Sequence, residues 1–389
     1  MDAIVSQERA VGSIVDTLHG FDSGGPSSSS ALLAFVGPTG VGKTVAAHTV
    51  ARAVLSSSMW SHGEAMILSM RGEHFAASGT TDQGQQLADF RSTLARHLMS
   101  TGGFAVVIVD EAQKMSPGVL DALLPFLDTQ HPHSMQIDGT TQRIPVRRIL
   151  AVLVSDMGTK VVADLLAKGA SRGHMQAALR ENLAHVAPWG GSALASRVTT
   201  LVPFLPLGPG HIATVAGLFL RRLQSSWALD VPGRSPASLD VGPHVHALMA
   251  YYVKFKLLKG AGGQDGFILS QYGARPVHMH DEGPLRRLQA KLFALAPALQ
   301  AQAQAVPPGN LTVRVEVDWG QQEEPSLDWV AEDDVSKAAW LTFTQAAAAG
   351  QLHISLCAQA EATVDPHGGV LHTGPACAAP VWSGTLAAT

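Results

Sequence analysis

Gly37-Pro38-Thr39-Gly40-Val41-Gly42-Lys43-Thr44 sets two glycines four residues apart and follows them directly with Lys and Thr. Glycines let successive backbone N–H groups turn into one concavity, which suits phosphate oxygens. At this spacing Lys43 reaches the outer phosphates of a nucleotide, and the Thr44 hydroxyl is placed to ligate Mg²⁺. A helix opening at that point would add the positive end of its dipole. A second candidate is the pair Asp110-Glu111, which closes the apolar run FAVVIV at 104–109. Asp110 would hold Mg²⁺, mostly through water, and Glu111 would polarise an attacking water. Adjacent strand residues point to opposite sides, so two neighbouring carboxylates can take different roles. Taken alone, the pair has a rival reading as an N-cap for a helix over 117–127. The phosphate loop upstream favours the catalytic reading.

These residues need elements to hold them. The apolar run 31–36 predicts a buried strand before the loop, and 45–55 a helix after it. Residues 65–70 (AMILSM) read as a second strand. In 83–100, Leu87, Phe90, Leu94 and Leu98 share one helical side, and Gly102-Gly103 ends that helix. Residues 104–109 are apolar throughout, as in a strand covered on both faces. Strands alternating with helices predict a parallel, doubly wound sheet that binds ligands at its strands' C-terminal ends. Before it, 2–21 has helix-like apolar spacing, and 22–30 is a Gly, Pro and Ser link.

The chain has 389 residues, room for two or three domains, with 46% hydrophobic and 15% charged residues. A net charge of −4 gives no general pull toward nucleic acid or an anionic membrane. The two cysteines, Cys357 and Cys377, are too few for a disulfide framework and lack metal-site spacing, which leans toward a reducing compartment. No signal peptide and no spanning apolar run is visible. The expectation is a soluble, unprocessed, cytoplasmic protein.

The texts VGPTGVGKT and VIVDEAQKMSPGVLDALLPFLD, in this order of elements, resemble the Clp-type AAA+ ATPases. Nearest in motif are the second ATPase module of ClpB-like disaggregases and the torsins. The resemblance continues over about residues 3–318. Residues 138–148 resemble the family's hairpin before its fourth strand, 149–155 that strand, and Asp156-Met157-Gly158 its first sensor. SALASRVTTLVPFLPL places Arg197 at the arginine-finger position, and Gly273-Ala274-Arg275-Pro276 resembles the second sensor, with Arg275 reaching back to the phosphates. The resemblance puts Ile4, Val5, Ile212 and Ala274 among the nucleotide-binding residues, Ile212 touching adenine. It implies a five-stranded parallel sheet flanked by helices over 1–207, a small, mainly helical lid over 208–318, and a partly disordered extension over 319–389. It also implies ATP and Mg²⁺ as ligands, a self-associating ring with hexamer stoichiometry, and a protein client or adaptor.

Three departures qualify these expectations. The first sensor is usually Asn, whereas Asp156 when ionised cannot donate a hydrogen bond and should repel the γ-phosphate. Residues 76–86 have glycines but no aromatic to grip a threaded client, which favours a torsin-like remodeller. The chain starts close to the ATPase core, leaving no room for a recruiting N-terminal domain, and carries no peptidase-docking tripeptide. Against torsin identity, a signal peptide is lacking, Ala274 stands where torsins have Cys, and Arg197 supplies a finger that torsins lack. The pairs His131/His133, His244/His246 and His278/His280 lack further metal ligands, so surface or helix-edge histidines are expected. The leading function is ATP-driven remodelling of protein partners. A slow nucleotide-dependent switch is the alternative, and a nucleic-acid motor ranks last for want of a basic face or stacking aromatics.

Overall fold

The computed structural model describes residues 7–23, 30–56, 63–76, 83–127, 134–136, 143–146, 148–186, 189, 194–258, 267–278, 283–306, 310–319, 323–330, 337–359, 363–364, 370–371 and 376–385. The chain divides into two compact units, Met1–Pro206 and Leu207–Thr389.

In the first unit, α1 (Glu8–Ser23) leads into β1 (Ala31–Val36) and α2 (Lys43–Leu55). Then come β2 (Ile67–Arg71), α3 (Gln83–Ser100) and β3 (Phe104–Asp110). A short α4 (Leu124–Leu127) precedes the antiparallel pair β4 (Ser134–Gln136) and β5 (Arg143–Pro145). The unit closes with β6 (Arg148–Ser155), α5 (Thr159–Ala167), α6 (Arg172–His185), α7 (Leu194–Arg197) and β7 (Thr200–Pro203). The five core strands run parallel in the order β2-β3-β6-β1-β7.

Every residue of β1 and β6 is buried, as expected for strands whose two faces are both covered. Phe35, Phe90 and Leu98 are among the fully buried side chains, each contributing about 1.5–3 kcal/mol by leaving water. Register puts Val36 beside Ser155 and Pro203, so β1, β6 and β7 end together at one edge. Gln7 ties the start of α1 to the end of β7: its Nε2 donates to Leu205 O at 2.9 Å, and its Oε1 accepts from Leu205 N at 3.0 Å.

Residues 117–127 form no continuous α-helix. Gly118 sits at φ 82°, and a 3-10 turn at Leu120–Leu123 comes before α4. A side chain at position 118 would resist that left-handed backbone, which is what breaks the helix expected there.

The second unit opens with α8 (Pro209–Ser226), entered through Pro at the first turn, where a missing N–H costs nothing. It continues with β8 (Ser238–Val241), α9 (Pro243–Tyr251), and the antiparallel pair β9 (Phe255–Leu258) and β10 (Phe267–Ser270). After α10 (Arg275–His278) and α11 (Pro284–Gln302) comes β11 (Asn310–Asp318). Then follow α12 (Lys337–Ala347), β12 (Gln351–Gln359), the small pair β13 (Thr363–Val364) and β14 (Val370–Leu371), β15 (Ala376–Cys377) and β16 (Trp382–Gly384).

Leu311, Val313 and Val315 alternate inward on β11, facing the same core as Leu352, Ile354 and Leu356 of β12. Beside the helices, this unit therefore builds a mixed sheet, β15-β12-β11-β8 with β16 also on β12. Residues 351–359 belong to this sheet, because β12 pairs with β11 along its whole length. Trp319, Trp329, Trp340 and Phe343 pack ring on ring over this sheet. His244 fills a structural role there, with Nδ1 at 2.7 Å from Glu324 Oε1 and Nε2 at 3.2 Å from Pro325 O. His278 stacks on Phe219, and burial holds its imidazole below the usual histidine range. His131, His133 and His280 lie outside the described residues.

The two cysteines do pair: Cys357 on β12 and Cys377 on β15 face each other in register and form a disulfide. Counting cysteines for a framework missed this, since a single bridge needs only one cross-strand neighbour. The bridge closes a loop of sequence separation 20. Reduction is expected to destabilise the second unit by about 3 kcal/mol in the chain-entropy picture. Denaturant unfolding with and without reductant, followed by limited proteolysis of the β15–β16 end, checks it. Among the described residues, no helix is long and apolar enough to cross a membrane.

Candidate functional site

The loop Gly37–Thr44 joins β1 to α2 at the C-terminal edge of the sheet. Gly40 and Gly42 take φ of 77° and 97°, a left-handed backbone that turns the N–H groups inward and favours glycine. Gly37 is required for a second reason: a Cβ there would lie 2.3 Å from Phe204 O. Gly42 is the N-cap of α2 and contributes no side-chain cap, an arrangement that suits an anion at the helix N-terminus. Lys43 is nearly buried, and its Nζ donates to Gly37 O at 2.8 Å and Pro38 O at 2.6 Å.

Strand β3 delivers Asp110 to the same edge. The Thr44 hydroxyl donates to Asp110 Oδ2 at 3.1 Å, and Asp110 Oδ1 accepts from Glu111 N at 3.0 Å. Glu111 stands at φ 54°, alone among the described non-glycine residues in having positive φ. Such a backbone costs about 1–3 kcal/mol and persists where surrounding structure enforces it. Its side chain makes no capping hydrogen bond to the 3-10 turn Ala112–Lys114 that follows, so the capping role is not the one it plays.

Strand β6 ends at Ser155, and Asp156 follows it at the same edge. Asp156 forms a tight pair there: its Oδ1 lies 2.7 Å from Lys43 Nζ. Its Oδ2 accepts from Thr39 Oγ1 at 2.6 Å. Gln113 Oε1, 3.3 Å from Asp156 N, accepts from that amide, so the turn after β3 and the end of β6 are bonded together. Sequence reasoning named Asp156 but not Thr39 or Gln113 as its partners. Nor did it single out Lys114, whose Nζ pairs with both Glu111 and Glu73.

Lys43, Thr44, Asp110, Glu111 and Asp156 are thus brought to one edge of one sheet. Arg197 is exposed at the end of α7, just before β7. Ile212 is buried on α8, Ala274 is buried, and Arg275 begins α10 with its side chain exposed; all three belong to the second unit. Ile4 and Val5 lie outside the described residues.

The donor set fits ATP and Mg²⁺. A hydroxyl and a carboxylate are hard oxygen ligands, and Mg²⁺ is held by one or two such groups plus substrate phosphates and water. Among the described residues no cluster of three or more His, Cys, Asp or Glu forms a metal cage of its own.

Strand order, loop and acid pair define a phosphate-loop domain, and a family model described as an AAA domain matches residues 27–150. The chaperone protein ClpB of Nitratidesulfovibrio vulgaris (Hildenborough) is 26% identical over 242 residues, covering 58% of this chain and 26% of the relative. The ClpB of Streptomyces albus G is 26% identical over 283 residues, covering 70% of this chain and 28% of its own. Among solved structures, the S. cerevisiae Hsp104–ADP complex matches with a TM-score of 0.50 at 16% identity, over 81% of this chain and 49% of that one. The chain therefore spans about a quarter of the length of the curated relatives it matches. The AAA family model and the ClpB relatives support a likeness to the Clp-type AAA+ ATPases.

Proposed function

We propose that the chain binds ATP with Mg²⁺, hydrolyses it, and uses the cycle to remodel protein partners as a self-assembled ring. The observation that supports this reading is the Thr44–Asp110 contact beside Glu111, two groups that would hold Mg²⁺ next to a carboxylate that would act as base. Thr44 and Asp110 would hold Mg²⁺, which supplies charge neutralisation at the phosphates when bound. The loop N–H groups and Lys43 bind and orient the phosphates. Glu111 takes a proton from the attacking water, and Arg197 of a neighbouring copy stabilises charge on the transferring group. The ClpB relatives bear the name of chaperone, which supports a protein client. The net charge of −4 favours no nucleic acid. The Cys357–Cys377 disulfide bears on the compartment, since cytosolic thiols would reduce it; thiol titration of the freshly isolated protein tests a cytoplasmic location.

A second reading, the slow nucleotide switch, is favoured by the Lys43–Asp156 pair. The carboxylate competes with the γ-phosphate for the same ammonium and brings a like charge close to it. Asp156→Asn keeps a carbonyl oxygen for Lys43 and offers its NH₂ to the Thr39 hydroxyl while removing that charge. Turnover is expected to rise roughly tenfold, about 1.4 kcal/mol off the barrier.

The deciding experiment is phosphate release by the purified chain and by Asp156→Asn, with mass measured with and without ATP. Turnover with ATP-dependent oligomers supports the remodelling ring. Tight ATP binding without turnover until Asp156 is replaced supports the switch. No nucleotide binding removes both.

A further inference from the structure

We propose that Lys114 is a positioning residue that restrains Glu111, and that Glu73 sets how firmly it does so. The proposal rests on the reading of Glu111 as the base for ATP hydrolysis. Glu73 and Glu111 follow β2 and β3, the former in the 3-10 turn Gly72–Phe75 and the latter heading the turn Ala112–Lys114. The two turns are fastened to each other. A Cβ at Gly72 would lie 2.3 Å from Glu111 O, so only glycine permits the approach. Ser116 N donates to Phe75 O at 2.9 Å, and Ser116 Oγ bonds Gln86 Oε1 at the first turns of α3. Lys114 N donates to Glu111 O at 2.9 Å, which fixes the lysine backbone under the glutamate.

On this frame Lys114 Nζ ion-pairs with Glu111 Oε2 and Glu73 Oε1 together. An ammonium carries three donors and no acceptor, so it serves both carboxylates and each competes for it. The two carboxylates hold Lys114 above the ordinary lysine range, Glu111 foremost, and Lys114 draws Glu73 below the usual carboxylate range. The lysine therefore stays charged at any physiological pH, and the restraint opens by displacement rather than by loss of a proton.

A general base must offer a lone pair to the attacking water. While Lys114 engages Oε2, that oxygen is turned toward the ammonium, and Glu73 pulls the ammonium the other way. Anything that moves the turn after β2 therefore changes how much of Glu111 is available. This couples the segment leaving β2 to the hydrolytic centre without any contact to nucleotide. The three side chains are between 32% and 48% exposed, so their substitution leaves the core intact.

The test is steady-state ATP turnover of Lys114→Met, Lys114→Arg and Glu73→Gln beside the unchanged chain, with nucleotide affinity and thermal melting measured for each. Lys114→Met is expected to raise kcat roughly two- to fivefold, the range set by a solvent-exposed ion pair, with KM for ATP unchanged. Glu73→Gln leaves the ammonium to Glu111 alone and is expected to lower kcat by a similar factor. Lys114→Arg keeps the restraint and stays near the starting rate. Opposite signs at positions 114 and 73 support the proposal, because a merely structural role would lower both. Changes of the same sign, or none, in a chain that does hydrolyse ATP overturn the restraint alone. Nucleotide binding with no turnover in the unchanged chain and in Lys114→Met removes the hydrolytic reading of Glu111, and the restraint with it.

Discussion

Glu111→Gln is expected to lower ATP turnover by about 10²–10⁴-fold while nucleotide binding is kept, the usual worth of a positioned general base. The amide matches the carboxylate in size and keeps one carbonyl oxygen for Lys114, so the turn Ala112–Lys114 has no reason to rearrange. What it loses is the negative charge that receives the proton from water. The binding apparatus is built from other side chains: Lys43 is held by Gly37 O and Pro38 O, and Thr44 by Asp110. Affinity for a fluorescent ATP analogue should therefore match the unchanged chain, and an ATP-loaded oligomer should accumulate. Single-turnover phosphate release separates the two quantities. Turnover that survives the change would place the base on another residue, with Asp156 next at that edge of the sheet.

Much of this centre was visible in the sequence because its determinants are local. Thr44 follows Gly37 by seven positions, and Asp110-Glu111 ends an unbroken apolar run, so a turn, a helix start and a strand end carry the reading. The parallel sheet was visible for the same reason: 31–36 and 104–109 have no polar face to show water. The partnerships were not visible. Lys43 and Asp156 are 113 residues apart, and Glu73 and Lys114 are 41 apart. Nothing in either local text announces the other. Asp156 reads locally as a carboxylate that repels phosphate, and the fold adds a lysine and a threonine as its partners. The sheet of the second unit failed in the same way. Leu311, Val313, Val315 and Val317 alternate with Thr312, Arg314 and Glu316, the pattern of a half-buried strand, but its partner β12 lies beyond α12, and alternation names a face without naming a neighbour.

Arg197→Ala is expected to lower turnover by about 10³–10⁵-fold, the range for a guanidinium that stabilises charge on a transferring phosphoryl group. The backbone around it is well held. Leu194 is buried, Val198 O accepts from Arg180 Nη1 at 3.2 Å, and Thr199 N donates to Leu32 O at 2.9 Å. The side chain itself stays exposed, which suits a group presented to a second copy. That copy makes a sharper test than the rate alone. Under the proposed arrangement each hydrolytic centre needs its own Glu111 and its neighbour's Arg197. Chains carrying Arg197→Ala and chains carrying Glu111→Gln are each inactive by themselves. Mixed before ATP is added, they form rings in which an intact Glu111 meets an intact Arg197, and turnover returns. If Arg197 instead served its own chain, every centre in the mixture would lack one of the two groups and no activity would reappear. Recovery on mixing thus reports both the role of Arg197 and the existence of the ring, and its absence from a mixture shown by mass to co-assemble would return Arg197 to the ordinary solvated surface.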